Sequence, residues 1–450
     1  MKNNSRTSWR QSRQPLWIAC LAVAAACPGT AIAEALLIEN VTLIDGTGRP
    51  PMEHAHVLVE GERFAAVSPA PLSAPEDATR IDAEGMYLIP GLIDSHIHLL
   101  GGRTGPGNRE MIMDPDTGLK VLHGYLYAGV TSIYDSGNHG EYIHKMRADE
   151  RAGRILSPRI FATIRLIAPT DGHGCCAGGI VVESMEDALP KLDALFAYQP
   201  DLLKFTREVR GMGPEPRKMP LLSEDLLRDL ITYANEHGVR TTVHVPSTAL
   251  AREAVAAGAN AFAHNVYLDE VDESFVHLLA AQNIIVSTTI IRQEADVSFY
   301  DDALFQALLT AEQISAEQRS ERFVGTPYAA WLKSLRATIF HNIRALHEAG
   351  VLLALGTDRS VGAMPHQELR LLVEAGISPL EALRIATLNG AAYLGVAEDL
   401  GSIERGKLAD MVLLHKDPTR DIRNTQSIAA VFKGGQEIRR SRLNVPANSR

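Results

Sequence analysis

Two histidines stand one residue apart in the apolar stretch LIPGLIDSHIHLL, residues 88–100. Side chains in a strand alternate faces, so His96 and His98 are expected to point the same way, with Asp94 on that face too. Two neutral imidazoles on a buried face are costly unless something binds them, and a divalent cation is the usual partner. A hydrogen-bonded pair of core histidines is the alternative. Other side chains of ligand type fall near the ends of apolar runs: Lys204 in DLLKFT, His244 in RTTVHV, His264 in AFAHNV and Asp358 in VLLALGTD. Lys204 is the informative one. Burial disfavours its ammonium and lowers its pKa. A neutral amine can react with carbon dioxide to give a carbamate, an anion able to bridge two cations. A lysine that snorkels to the strand end and forms a salt bridge is the alternative. Taken singly, His244 and His264 read as core or loop histidines and Asp358 as a helix N-cap.

The elements that must position these residues follow from the pattern. Residues 91–400 alternate strands and helices, with strands expected at GLIDSHIHL, TSIYDSG, RIFATIRLI, DLLKFT, RTTVHV, AFAHNV, NIIVSTTI and VLLALGTD. Eight strands with helices such as 223–237 between them is the count for an α/β fold of the (β/α)8 TIM-barrel type, in which catalytic groups sit at the strand ends. A doubly wound open sheet is the structural alternative, and no glycine-rich phosphate loop supports it. Residues 34–90 and 401–450 are rich in short strand signals, so a small β-sandwich module built from both chain ends is expected. Residues 292–330 break the rhythm with a long polar-rich segment, read either as a lid over the barrel mouth or as a solvated helical insertion.

The first 33 residues differ from the rest. Lys2, Arg6, Arg10 and Arg13 precede the apolar run PLWIACLAVAAA, and AIA ends at Ala33. That is the pattern of a secretory signal peptide cleaved after Ala33, with no stable membrane anchor afterwards and a secreted or periplasmic location. The run is short for a spanning helix. The chain has a formal charge of −10, more negative still without the leader, which argues against nucleic acid as a partner. Cys20 and Cys27 leave with the leader. The adjacent Cys175 and Cys176 could be free or form a strained vicinal disulfide, and no zinc-type cysteine spacing exists.

As a set, GLIDSHIHL, Lys204, His244, His264, ALGTD, HQELRLLVEAGISPLEALRIATLNGAAYLG and GSIERGKLADMVLL resemble the amidohydrolase superfamily, and most of all its imidazolonepropionase-like and prolidase-like branch. The resemblance covers nearly the whole chain beyond the leader. It implies two divalent metal ions, commonly zinc. His96, His98 and Asp358 would hold one, His244 and His264 the other, and carboxylated Lys204 would bridge them. It further implies that Asp358 moves a proton from the attacking water to the leaving amine.

Two departures bear on substrate. HVPS follows the strand-five histidine without the glutamate on which deaminase members lean. TREVRGMG replaces a Ser/Gly-rich loop after Lys204, so Arg207 or Arg210 is expected to clamp a substrate carboxylate, with a solvated loop arginine as the alternative. His173, between two glycines in PTDGHGCC, is expected to line the pocket or to be a turn histidine. His366 is expected to cap or pack rather than to catalyse. The resulting expectation is a metal-dependent hydrolase of an amide bond in a small substrate such as a dipeptide or N-acyl amino acid. A lactone or ester hydrolase on the same site and a non-catalytic metal-binding barrel are the alternatives, and a homo-oligomer is left open.

Overall fold

The computed structural model describes residues 35–99, 103–104, 110–111, 113–175, 178–211, 213–215, 217–294, 296–320 and 325–449. The expected leader, Cys20, Cys27 and Cys176 lie outside the described residues. Strands β1 (Leu36–Leu43), β2 (Met52–Glu60), β3 (Arg63–Ser68), β4 (Thr79–Asp82) and β5 (Tyr87–Pro90) open the chain. β6 (Leu92–Ile97), the short β7 (Arg103–Thr104) and β8 (Glu110–Met111), and β9 (Val130–Asp135) follow. Next come β10 (Arg159–Ala162), β11 (Ile167–Ala168), β12 (Ile180–Val181), β13 (Leu202–Thr206), β14 (Arg240–His244), β15 (Ala261–Phe262), β16 (Ile285–Ser287) and β17 (Leu352–Ala354). The chain closes on β18 (Met411–Leu414), β19 (Ile428–Lys433) and β20 (Gln436–Glu437).

β1–β5 and β18–β20 form one eight-stranded sheet in which β5 pairs antiparallel with β18, so both chain ends share one ladder. In its hydrogen bonding the expected sandwich is this single sheet; β1 pairs with β2 on one edge and in turn with β4 and β5 on the other. Its core of Ile38, Val41, Val57, Phe64, Met411 and Phe432 draws on both ends of the chain.

Between the ends the protein is α/β with parallel strands. One parallel run has the order β10-β9-β6, a second β12-β11-β13-β14-β15-β16-β17. All eight strands expected from sequence are present, each shorter than its apolar run. The ladders do not close into a continuous ring. Backbone hydrogen bonds outside the ladders span the two breaks: Ser95 N to Leu355 O at 2.8 Å and Asp358 N to His96 O at 2.7 Å across one, and Asp201 N to Ala162 O at 3.0 Å across the other. β6 and β13 are buried at every position, which is why they read as apolar runs rather than alternating ones. The helices are amphipathic. In Glu224–Glu236, Leu226, Leu227, Leu230, Ile231 and Ala234 form the buried stripe, and the Ser223 hydroxyl accepts from Leu226 N at its start.

The segment 292–330 is largely helical, with a 3-10 turn at Ser298–Asp301 and helices at Ala303–Leu308 and Ala311–Gln318. Phe299, Tyr300 and Phe305 are buried and mutually packed, with ring centroids 4.4 to 5.4 Å apart. The segment is therefore anchored by a small aromatic core of its own. Farther on, Trp331 takes the Arg210 guanidinium over its ring at 5.7 Å, which ties the region to the loop after β13. No helix among the described residues is long and apolar enough to cross a membrane.

Candidate active site

The strand ends bring the six expected side chains to one place. The imidazoles follow one another in space: His98 to His96 with centroids 5.5 Å apart, His96 to His264 at 4.5 Å, His264 to His244 at 4.7 Å, and His244 to His173 at 4.4 Å. Lys204 Nζ lies 3.2 Å from His96 Nε2. Asp358 Oδ1 lies 3.5 Å from His98 Nε2 and 3.9 Å from His96 Nε2, and these three residues can present ligand atoms within 4.8 Å of one another. Gly356 permits this approach: a Cβ there would stand 2.1 Å from Ser287 Oγ and 2.9 Å from the Cβ of His96.

The tautomers can be read from the neighbours. His96 Nδ1 is 2.7 Å from Ala263 O and His98 Nδ1 is 2.6 Å from Gly137 O. A carbonyl oxygen only accepts, so both rings donate from Nδ1 and keep the Nε2 lone pair for the site. His264 Nδ1 meets the Thr289 hydroxyl at 3.0 Å. His244 is turned the other way: Nε2 is 3.2 Å from Glu208 Oε2, while Nδ1 is buried with no hydrogen-bond partner among the described residues. A buried nitrogen lone pair without a donor is what a metal ion would satisfy, and the second partners on the other nitrogens are those that orient metal-binding imidazoles. The residues present therefore fit a divalent cation pair.

Electrostatics agree with the geometry. Burial lowers the pKa of His96, His98 and His264, with Lys204 adding to the effect on His96 and His98, so these rings are neutral. Burial pulls Lys204 down to about 8 against the opposing pull of Asp358 and Asp135. Burial alone would raise the Asp358 carboxyl. The charge of the Arg292 guanidinium beside it opposes this, and the carboxyl lies well below the usual range. His173, pushed down to about 3 mainly by burial, stacks on the His244 ring at 18° and joins the site as expected.

Several expectations need correction. Arg207 does not face the site. Its side chain is buried, pairs with Glu253 and donates to Leu222 O. The reason is parity: Arg207 is three positions after Lys204, so the extended chain sends it to the opposite face. Arg210 lies against Trp331. Asp94 is buried, but its carboxylate accepts from Thr357 N, Thr357 Oγ1 and His96 N, and so holds the end of β17 to β6. His366 packs, as expected, between Thr425 Oγ1 and Ala128 O, each at 2.8 Å.

Glu208 and Arg292 escaped the sequence reading. Glu208 is four positions after Lys204 and shares its face, a signal that parity could have given. Arg292 donates from Nε to Asp358 Oδ2 at 2.9 Å. It arrives there on the 3-10 turn Ile290–Arg292, just after Thr289, which has φ +43°. Glu368, fully buried on the helix Met364–Glu374, fixes that turn by accepting from Thr288 Oγ1 at 2.6 Å, Ile290 N at 2.8 Å and Ile291 N at 2.7 Å. Nothing local in the sequence marks that contact.

Burial pushes the Glu368 carboxyl from 4.5 up to about 7, despite these donors. Between those values the unfolded chain has released the proton that the folded chain still holds, so stability should fall as pH rises through that window. The loss should be on the order of a few kcal/mol. Glu368→Gln cannot ionise and should flatten this part of the profile in urea unfolding at pH 5 and pH 8. A difference between variant and wild type that is the same at both pH values would contradict the assignment.

The sequence profile described as "Amidohydrolase family" matches residues 87–438. The chain is 24% identical to an ochratoxinase of Aspergillus niger, over 95% of this chain and 90% of that protein. It is 26% identical to an imidazolonepropionase of Pseudomonas paraeruginosa, over 80% and 87% respectively. Among solved structures, an Xaa-Pro dipeptidase with methionine bound in its active site superposes with a TM-score of 0.75 at 21% identity, covering 90% of this chain and all of that one. With its profile match running from β5 to the last strands, the chain belongs to the amidohydrolase family and is a hydrolase of carbon–nitrogen bonds.

Proposed function

We propose that the chain is a (β/α)8-barrel hydrolase that cleaves the amide bond of a small substrate, a dipeptide or an N-acyl amino acid. It would work with two divalent cations, zinc by preference, held by His96, His98, Lys204, His244, His264 and Asp358. The observation that carries this reading is the convergence of these six side chains from five separate strand ends, with the buried, partnerless Nδ1 of His244 among them. When bound, such a pair supplies a Lewis acid for the scissile carbonyl and brings the pKa of water toward neutrality. Lys204, as its carbamate, contributes the anion that offsets the two positive charges. Asp358 accepts the proton of the attacking water at its carboxylate and delivers it to the leaving nitrogen. Arg292 holds the other carboxylate oxygen and so fixes the direction of that transfer. The relatives named as dipeptidase and ochratoxinase support the choice of substrate class. The leader sequence supports export from the cytoplasm, to the periplasm or beyond.

The test is a hydrolysis screen with protein stripped of metal and reloaded with zinc, manganese or cobalt. Turnover of dipeptides or N-acyl amino acids is expected, lost on chelation and restored on reloading. Turnover of lactones alone would move the electrophile to an ester-like centre. A metal-loaded protein inert across all three panels would leave a binding protein and overturn the enzymatic reading.

A further inference from the structure

We propose that Glu208 is a positioning residue that acts through His244: its carboxylate fixes the ring so that Nδ1, not Nε2, faces the cation site. This rests on the binuclear reading above. Glu208 is fully buried two residues beyond β13, on the face that carries Lys204. Its Oε2 accepts from His244 Nε2 at 3.2 Å and from Tyr267 Oη at 3.3 Å, and its Oε1 accepts from Arg210 N at 3.0 Å. Three donors from the protein engage both oxygens, so the carboxylate is committed to its surroundings rather than offered to a substrate.

An ionised carboxylate only accepts, so His244 carries a proton on Nε2, and in the neutral ring a metal requires the lone pair then lies on Nδ1. That is the nitrogen left buried without a partner. His173 stacks on the same ring at 4.4 Å and limits its rotation. The other three imidazoles are oriented by backbone carbonyls or by a threonine hydroxyl. His244 alone among them depends on a carboxylate for its orientation. Without Glu208 nothing in its surroundings selects the Nε2–H tautomer, and the proton could settle on the nitrogen meant for the metal.

The experiment is calorimetric titration of metal-free protein with zinc, together with the visible spectrum of the cobalt-loaded form. Wild type should bind two ions. Glu208→Ala and Glu208→Asp should weaken one of the two sites by roughly 10- to 100-fold and alter only part of the cobalt spectrum. Glu208→Gln, whose amide oxygen still accepts from Nε2–H, should recover most of that loss. If the alanine variant does not fold, the aspartate variant decides, because it keeps the charge but falls a methylene short of the ring. Alanine or aspartate variants with two sites of wild-type affinity and an unchanged spectrum would overturn the proposal while leaving the binuclear reading intact. A wild-type protein that binds no cation would instead remove that reading.

Discussion

Lys204→Ala should lose turnover by more than about 100-fold, which exceeds the cost of disturbing a residue outside the coordination sphere. The side chain is buried at the centre of β13, and its amine touches His96 Nε2 at 3.2 Å. As an ammonium it would be a buried cation beside neutral imidazoles, offset only in part by Asp358 and Asp135. With its pKa drawn down to about 8, roughly a tenth of the amine is unprotonated at pH 7, far more than for an ordinary lysine, and can attack carbon dioxide. The new N–C bond forms at the expense of one proton, which goes to solvent, and the product carries a negative charge. Alanine removes both the anion and the volume it fills. Short carboxylic acids such as acetate or propionate should enter the space left and partly restore both turnover and metal content, each read against concentration. A Lys204→Ala protein with full turnover would end the bridging role.

Asp358→Asn should lower kcat by roughly 100- to 10,000-fold while the substrate KM changes little, because the amide keeps the shape of the carboxylate but cannot carry a proton between water and the leaving nitrogen. The carboxylate is held at Oδ2 by Arg292, while Oδ1 faces His98 and His96 Nε2 at 3.5 and 3.9 Å. It also sits on a backbone with φ +50°, a conformation that a non-glycine residue holds only where its surroundings impose it. Initial rates over substrate concentrations from below to well above KM separate the two constants. If kcat stays within about threefold of wild type, Asp358 does not serve as the proton carrier.

Much of this site was legible before any coordinates. The two-residue period of a strand put His96 and His98 on one face, and the apolar run around Lys204 marked a buried amine. The same rule, applied with more care, separates Arg207 from Glu208. Three positions from Lys204 is the far face, where Arg207 meets Glu253, and four is the near face, where Glu208 meets His244. Arg292 is a different case. Its place depends on a turn held by Glu368, a residue nearly eighty positions away on another helix, and on the unusual φ of Thr289.

The chain by itself determined which residue types stand at the ends of which strands, because strand periodicity and burial are local consequences of the order of side chains. The folded chain alone decided which nitrogen of each imidazole looks inward, which arginine reaches the Asp358 carboxylate, and that both chain ends share one sheet. Those outcomes depend on hydrogen-bond partners and packing surfaces that come from distant positions, and no short window of sequence contains both halves of such a contact.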